Sequence, residues 1–470
     1  MSNSLRCIMK QQKWTVWTVV SINFLFLLNQ FLLITAFPTI MQEFQVNATE
    51  VQWLTTAFLL TAAIMIPING YFVDRFTLRF LVLVSLACFL VGTVAGILAP
   101  SFLLLVVARI IQAIGAGIML PLAQTVLLLV YSSEKRGQAM GILGLVMNVA
   151  PAIGPAMSGL IIDLWDWRIL FWMILLPLVG LIVITYLFIQ NITETKAAQF
   201  DVFSFILSSI GFVAFLLGVS MINMYSFEDL RVIGTIGLGA GAFVWFGYRQ
   251  LRLSIPLLNI KVFAYGPFLF ATLSIFLISL LLLSAETLIP LFAQSVQGLS
   301  AFTSGMILMP GTFLLALFSW ISGLLYDRYG RKVIGVGFVP LLISVVMFSL
   351  FQPTTSFLTV TVAFMFFMLG ISITMMPQVA FAMNHLPASI MPHGTAVINA
   401  LRQFAMAIGV TALTTIVTVS SQGQDHLYEG TRNAFLTMAV LGVISLAFFV
   451  VSNKGNNKRG TSKNRQSHDV

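Results

Sequence analysis

The sequence predicts an all-α membrane protein with fourteen transmembrane helices, and both its composition and its apolar runs indicate this class. Of the 470 residues, 59% are hydrophobic and 8% are charged, whereas a soluble domain carries about 25% charged residues. Apolar runs recur along the whole chain, and each is long enough to cross a bilayer as a helix. The predicted helices cover residues 14–36, 51–72, 80–99, 102–131, 138–163, 169–190, 202–223, 231–248, 264–295, 303–325, 333–351, 355–384, 396–420 and 432–452.

The basic residues follow a topological pattern. With the N-terminus in the cytoplasm, 19 of the 24 Lys and Arg residues fall in cytoplasmic segments. Arg168, Arg231 and Arg432 fall on the opposite side, and Arg109 and Arg402 lie inside helices. This asymmetry obeys the positive-inside rule and places both termini in the cytoplasm. Topology therefore explains the net charge of +9, and nucleic acid is not an expected partner. Cys7 and Cys88 offer neither a disulfide framework nor zinc-ligand spacing, so no metal is expected.

A charged phrase occurs twice, as "GYFVDRFTLR" at Gly70–Arg79 and as "GLLYDRYGRK" at Gly323–Lys332, 253 residues apart. Four further pairs keep nearly the same offset, and five pairs in register indicate a duplicated unit. Since a span with its loop takes roughly 30 residues, the offset corresponds to about eight spans. The four further pairs are Pro38 with Pro290, Pro121 with Pro377, Gly137 with Gly394, and Gly154 with Gly409.

An eight-span offset predicts two six-helix bundles separated by a two-helix insert. Parallel repeats of this kind build transporters whose site lies between the halves, near the middle of the membrane. The predicted parts are an N-terminal six-helix bundle at 1–190, a linker with two additional transmembrane helices at 191–263, a C-terminal six-helix bundle at 264–452, and a polar cytoplasmic tail at 453–470.

Five segments carry motifs that are specific as a set. They are "LNQFLLITAFPTI" in the first helix, "QWLTTAFLLTAAIMIPINGYFVDRF" in the second, "ARIIQAIGAGIMLP" in the fourth, "APAIGPAMSG" in the fifth, and the loop "GLLYDRYGRK". With these segments the chain resembles the major facilitator superfamily, and within it the fourteen-helix drug/proton antiporters of the EmrB/QacA-like and lincomycin-resistance type. The resemblance covers about 450 residues and implies the major facilitator fold.

In that family, the charged loop after the second helix of each bundle forms a cytoplasmic latch that opens during transport. Asp327 is expected at the start of the following helix, where a carboxylate favours the positive helix end. The first copy has Thr77 and Leu78 where the second has Gly330 and Arg331. The alternative is a topology anchor with solvated charges. The residues assigned to the latch are Asp74, Arg75, Gly323, Asp327, Arg328, Gly330, Arg331 and Lys332.

The fifth predicted helix carries the antiporter motif at Gly154, Pro155 and Gly159. Such residues let helix backbones approach closely and introduce a bend. The resemblance implies that this helix lines the contact between the bundles. Ordinary small-residue packing is the alternative.

Two arginines inside predicted helices are candidate cavity or coupling residues. Arg109 lies in the fourth helix, where an unpaired cation would be costly, so it is expected to face a cavity or a partner. Gln112 follows it in the R-x-x-Q motif, and Asn29 occupies the first-helix position where the family often has an acid. Arg402 in the thirteenth helix is the second candidate. For Arg109 the alternative is pairing with backbone carbonyls or snorkelling towards the membrane surface, and for Arg402 it is snorkelling.

Glu286 is the principal candidate for proton coupling. Fourteen of the fifteen acidic residues fall in loops, tails or helix ends, whereas Glu286 lies deep in the ninth helix. An ionised carboxylate is disfavoured at that depth, so we expect Glu286 to exchange protons. It would replace the first-helix acid that Asn29 cannot supply, since an amide does not titrate. Asp163, at the end of the fifth helix, is the second candidate, with an interfacial loop acid as its alternative.

The resemblance and these residues predict a proton-coupled multidrug efflux antiporter that exports lipophilic compounds, cationic ones included, by alternating access. A proton-coupled transporter of one metabolite or lipid-like solute is the alternative. A membrane-embedded enzyme or receptor is disfavoured, because the sequence has no H-E-x-x-H, G-x-S-x-G or P-loop motif. The expected setting is the lipid bilayer of a bacterial plasma membrane, as a monomer, with the proton gradient as driving force and no cofactor.

Overall fold

The computed structural model describes residues 3–33, 36–46, 48–51, 53–189, 191, 200–222, 225, 228–253, 256–299, 301–420 and 427–466. These residues form helices and no strand. The helices are α1 (Asn3–Leu32), α2 (Phe37–Phe44), α3 (Ala48–Val51), α4 (Trp53–Met65), α5 (Asn69–Arg75), α6 (Leu78–Ile97), α7 (Phe102–Val130), α8 (Arg136–Leu164), α9 (Ile169–Phe188), α10 (Val202–Met221), α11 (Leu230–Arg252), α12 (Gly266–Leu291), α13 (Ala301–Tyr329), α14 (Lys332–Ser349), α15 (Phe357–Asn384), α16 (Met391–Ser420) and α17 (Leu427–Gln466).

Each of the fourteen predicted segments falls on a helix. Among the described residues, twelve helices are long and apolar enough to cross a membrane, or thirteen if α4 and α5 form one bent span. The 29-residue helix α8 occupies the position of the predicted fifth span. The all-α membrane fold predicted from hydropathy is therefore confirmed.

The predicted second helix, 51–72, is not continuous, and this part of the prediction is wrong. The chain breaks between α4 and α5 with a bend of 52°. Pro67 lies in the break, and proline removes a helical hydrogen bond and clashes with the preceding turn. Asn69 begins α5, and its side-chain amide donates to the carbonyls of Gly117 and Ile118 on α7 at 3.1 and 2.9 Å. These bonds hold the bend against α7.

The ends of two other helices also differ from the prediction. Pro38 stands in the first turn of the separate helix α2 rather than at the end of the first span. Proline suits this position because its missing N–H has no helical partner there. The backbone of α17 stays helical to Gln466 and so continues into the segment predicted as a polar tail.

The chain divides into two compact units. The first comprises Met1–Val130, Val146–Val213 and Ala242–Asn259, and the second comprises Tyr131–Leu145, Ala214–Gly241 and Ile260–Val470. Helices α8, α10 and α11 each contribute to both units. The bundle boundaries drawn from the sequence stay a prediction.

Equivalent helices of the repeat make equivalent contacts within each unit. Gly154 of α8 faces Phe31 of α1, and Gly409 of α16 faces Leu280 of α12. In both cases a glycine on the fifth helix of a predicted bundle packs on the first helix of that bundle. A side chain at Gly409 would overlap the Leu280 carbonyl, so this contact depends on glycine. The offset of 255 residues thus marks corresponding packing positions.

Candidate functional site

The carboxylate of Asp327 caps a helix, but not the helix that the sequence predicts. Asp327 lies in the last turn of α13, before α14 begins at Lys332, so its predicted place at the start of the following helix is wrong. Its two oxygens instead accept from the backbone N–H groups of Gly137 and Gln138, each at 2.7 Å. These groups belong to the first turn of α8, where unpaired N–H groups attract an anion.

Glycines allow α13 and the first turns of α8 to approach closely. A side-chain carbon at Gly323 would overlap the Gly137 carbonyl, and one at Gly137 would lie 2.6 Å from the Gly323 carbonyl. Arg136 adds a side-chain hydrogen bond of 2.8 Å to Asn384 at the end of α15. The first turn of α8 is therefore held by two helices of the second unit. We refer to Arg136, Gly137, Gln138, Asp327 and Asn384 as the α8 cap.

The remaining residues of the second charged loop have separate roles. Gly330 adopts a φ of 61°, a left-handed conformation that favours glycine, and this turn joins α13 to α14. Arg331 donates to the Phe449 carbonyl and to the Ser452 hydroxyl of α17, the latter at 3.1 Å. Its guanidinium also lies over the Phe449 ring. Arg328 lies over the ring of Tyr329.

The first charged loop has a different geometry. Thr77, which replaces the glycine, is extended at the start of α6, with φ −69° and ψ 149°. Asp74 and Arg75 end α5. Arg79 donates its backbone N–H to Asn191 at 3.2 Å, and its guanidinium donates to the Tyr186 carbonyl at the end of α9. The two copies of the charged phrase therefore connect to different partners.

Arg109 is buried in the first unit and has polar partners. It is 1% exposed, and one guanidinium nitrogen donates to the side-chain oxygens of Asn29 at 2.6 Å and Gln112 at 2.8 Å. Its Nε donates to the Leu54 carbonyl at 3.3 Å, and the guanidinium lies 4.4 Å from the centre of the Phe58 ring. Of the four candidate cavity or coupling residues, Arg109, Asn29 and Gln112 are in contact with one another, whereas Arg402 is not part of this cluster. The burial of Arg109 excludes snorkelling, and its bond to the Leu54 carbonyl agrees in part with the alternative of carbonyl pairing.

Gln112 extends this cluster to a neighbouring helix. Its amide nitrogen donates to the Thr93 hydroxyl of α6 at 2.9 Å, and Thr93 donates to the Phe89 carbonyl at 2.7 Å. Sequence reasoning missed Thr93, because a threonine in an apolar helix carries no signal of its own. All of the described acceptors around the Arg109 guanidinium are neutral.

Glu286 lies on the half-buried face of α12, together with Leu282, Leu283 and Thr287. None of the hydrogen bonds or salt bridges among the described residues involves its carboxyl group. Pro290, one turn later, has no N–H to donate to the Glu286 carbonyl. A π-helical turn, Phe292–Val296, follows at the end of α12. The backbone is therefore irregular beside this acid.

The other candidates in α8 fall partly outside the structural description. Asp163 belongs to the last turn of this helix, and Pro155 and Gly159 lie before it in the same helix, but the surroundings of all three residues lie outside the described part. Ser158 donates to the Leu32 carbonyl of α1. No group of three or more His, Cys, Asp or Glu residues that could hold a metal occurs among the residues described.

An ion pair that the sequence motifs did not reveal joins the two helices of the predicted insert, α10 and α11. Arg249 of α11 donates to both carboxylate oxygens of Asp201, at 2.9 and 3.1 Å, and Ser204 donates to the same carboxylate at 2.6 Å. Partial burial raises the pKa of Asp201, but the hydrogen bonds from Arg249 and Ser204 outweigh burial and lower it to about 2. The pair ties the start of α10 to the end of α11.

A second ion pair joins α2 to the start of α9. Arg168, just before α9, donates to both carboxylate oxygens of Glu43 in α2, at 3.1 and 2.6 Å. Trp167 also donates to Glu43, at 2.6 Å. The hydrogen bond from Arg168 lowers the pKa of Glu43 below its ordinary value. Both charges are partly exposed, and such pairs contribute at most about 1 kcal/mol to stability.

Comparison with known proteins gives a consistent result. A family model described as Major Facilitator Superfamily matches residues 19–410. The uncharacterized MFS-type transporter YcnB of Bacillus subtilis (strain 168) is 39% identical over 430 residues, which are 91% of this chain and 90% of YcnB. Lincomycin resistance protein LmrB of the same organism is 35% identical over 434 residues, 88% of this chain and 91% of LmrB. The crystal structure of a double-tryptophan XylE mutant matches 92% of this chain and 94% of that chain, with a TM-score of 0.65 and 12% identity.

Proposed function

Because this chain belongs to the Major Facilitator Superfamily, we propose that it is a proton-coupled antiporter that exports lipophilic compounds by alternating access. The family consists of transporters, so the chain is a multi-pass membrane transporter and not an enzyme. The proposal adds the direction of transport, the driving ion and the substrate class.

The isolated carboxyl group of Glu286 is the observation that carries the proton coupling. In the described residues it has no ion-pair partner, and it lies in an apolar span beside a backbone that Pro290 interrupts. Such a carboxyl group binds a proton when its surroundings are apolar and releases the proton when water reaches it. This exchange is what coupling to a proton gradient requires. The family-typical acid position in α1 holds Asn29, which cannot titrate.

Export of lipophilic compounds is supported by the relatives and by the composition. Lincomycin resistance protein LmrB shares 35% identity over most of both chains. The 41 Phe and 22 Met residues give the spans adaptable, polarisable walls. A resistance panel tests this proposal: cells that express the chain should survive several unrelated lipophilic drugs, and an uncoupler should abolish the protection. Protection against one compound only would favour the single-metabolite alternative.

We place the protein in a bacterial plasma membrane with both termini in the cytoplasm. The basic residues of alternate connections support this orientation. A reporter fused after Arg249, between the predicted eighth and ninth spans, is expected to report a cytoplasmic position. A signal from the outside at this point would contradict both the count of fourteen spans and the two-helix insert.

A further inference from the structure

Arg402 is a cation inside a membrane helix, and the described residues offer it only a weak partner. It lies on α16, and its Nε is buried without a hydrogen bond to any described residue. One terminal nitrogen lies 4.0 Å from the sulfur of Met375 on α15, and a thioether is a weak acceptor. Arg109 differs, because two amide oxygens and a carbonyl satisfy it. An unsatisfied arginine in a membrane is costly, and such residues mark functional sites.

A second unsatisfied side chain lies on α15, about one helical turn from the Met375 that contacts this arginine. Gln378 is completely buried on α15, and neither its amide nitrogen nor its amide oxygen has a partner among the described residues. Gln378 follows Met375 by three residues, so the two side chains share one face of α15. Because Met375 contacts Arg402, neighbouring helices carry an amide and a guanidinium Nε about one helical turn apart, and neither group has a hydrogen-bond partner among the described residues.

The directions of the surrounding helices test whether Glu286 could be the missing partner. Phe292, directly after α12, contacts Phe435 near the start of α17, whereas Ser274 near the start of α12 hydrogen-bonds Ser445 further along α17. These two helices are therefore antiparallel. The start of α17 also packs at Gly430 on a carbonyl in the last turn of α16. Helices α12 and α16 consequently run in the same direction.

This arrangement separates Glu286 from Arg402. Gly409 of α16 packs against Leu280 and Ser284 of α12, which fixes the level of the two helices. Arg402 lies seven residues before Gly409, and Glu286 lies beyond Leu280 in the other direction. With a rise of about 1.5 Å per residue, the two charged groups are roughly 15 Å apart along the helices. Glu286 cannot neutralise Arg402, so these residues serve different purposes.

We propose that Arg402 and Gln378 form a subsite for the anionic oxygen group of a lipophilic compound. The inference rests on the proposed export function and names a substrate class for it. A planar guanidinium matches a carboxylate, sulfonate or phosphate group with paired hydrogen bonds, and the Gln378 amide donates a further one. The apolar part of the compound contacts Met375 and the side chains beside Arg402. Residues 401–404 are half-buried while the Arg402 Nε is buried, so the proposed compound has to penetrate between α15 and α16 to reach the guanidinium.

Two fluorescent compounds with the same aromatic core but different charge test this subsite. The purified full-length protein is heated in lipid nanodiscs with anilinonaphthalene sulfonate or with its uncharged analogue N-phenylnaphthylamine. The sulfonate is expected to raise the unfolding temperature of the wild type. Arg402→Gln should weaken sulfonate binding roughly tenfold or more, because it removes a charge-assisted bond. Arg402→Lys should retain part of the binding, and the uncharged analogue should bind all three proteins alike.

Arg252→Gln is the matched control, since it removes a cation that lies over the Tyr248 ring at the end of α11. This variant should bind the sulfonate like the wild type. If Arg402→Gln does not fold, Gln378→Leu replaces it, with a smaller loss of sulfonate binding expected and no loss for the uncharged analogue. Equal losses of binding for both compounds would show that Arg402 has a structural role only, and this result would overturn the proposal.

Two further results would also contradict the subsite. One is the absence of any sulfonate effect on the wild type. The other is stabilisation by inorganic sulfate as large as that by the aromatic sulfonate, because the site would then take small anions. Uptake of the uncharged analogue into inside-out vesicles, driven by a pH gradient, tests the proposed function separately. If the protein transports this analogue but does not bind the sulfonate, the proposed function is supported and the proposed subsite is contradicted.

Discussion

Replacing Glu286 by glutamine is expected to abolish export driven by a pH gradient while leaving the protein in the membrane. Glutamine keeps the size of the side chain but cannot bind and release a proton. Inward movement of one proton releases about 2.3 kcal/mol per 100 mV of membrane potential. This energy can maintain a drug concentration ratio of roughly fiftyfold across the membrane. Without a second coupling group, Glu286→Gln should lose this entire contribution. Proton flux and drug uptake in inside-out vesicles measure the effect.

The control for this variant is Glu228→Gln, which removes an exposed carboxylate between α10 and α11. It should transport at the wild-type rate. Neutral and cationic drugs are compared in parallel, because a carboxylate could also bind cationic drugs directly. Wild-type transport of both drug classes by Glu286→Gln would show that coupling occurs elsewhere. A loss confined to cationic drugs would make Glu286 a recognition residue, and Asp163 would become the leading coupling candidate.

The second large effect is expected from Asp327→Asn. The carboxylate accepts two backbone N–H groups at the start of α8, and an amide at this position loses the charge and turns one acceptor into a donor. Hydrogen bonds to charged groups contribute about 2 kcal/mol each, so the α8 cap should be weakened by a factor of roughly thirty or more. We propose that the cap closes the cytoplasmic side in one state of the transport cycle, so export should be abolished.

Asp74→Asn is the matched variant in the first charged loop. Its effect on export should be smaller, because the first loop lacks two features of the second. Thr77 replaces Gly330, which forms the turn, and Leu78 replaces Arg331, which bonds to α17. Export rates are compared at equal amounts of protein in the membrane, measured by immunoblot. Equal and mild losses for the two variants would leave only the topology-anchor interpretation of both loops.

Much of the fold was predictable from the sequence because the signals that specify it are local. Each span needs about 20 apolar residues, and this requirement acts on one segment at a time. The repeat offset was equally visible, since it depends only on matching residues such as Gly154 and Gly409. Arg109, Asn29 and Gln112 could be named as candidates because the family motifs include their positions. The structure shows that the three side chains are in contact, which the sequence did not predict, and their role in coupling stays a proposal.

Only the tertiary structure decided which partners the polar groups have. Asp327 bonds to residues 190 and 189 positions earlier in the chain, and hydropathy carries no information about such a choice. The pairing of Asp201 with Arg249 depends in the same way on two helices that meet. Among the described residues, the Arg402 Nε and the Gln378 amide have no hydrogen-bond partner, and this too is a property of the surrounding helices. The sequence determines which charged residues lie within a membrane span. Their hydrogen-bond partners depend on which helix faces are in contact, and long-range packing determines those contacts.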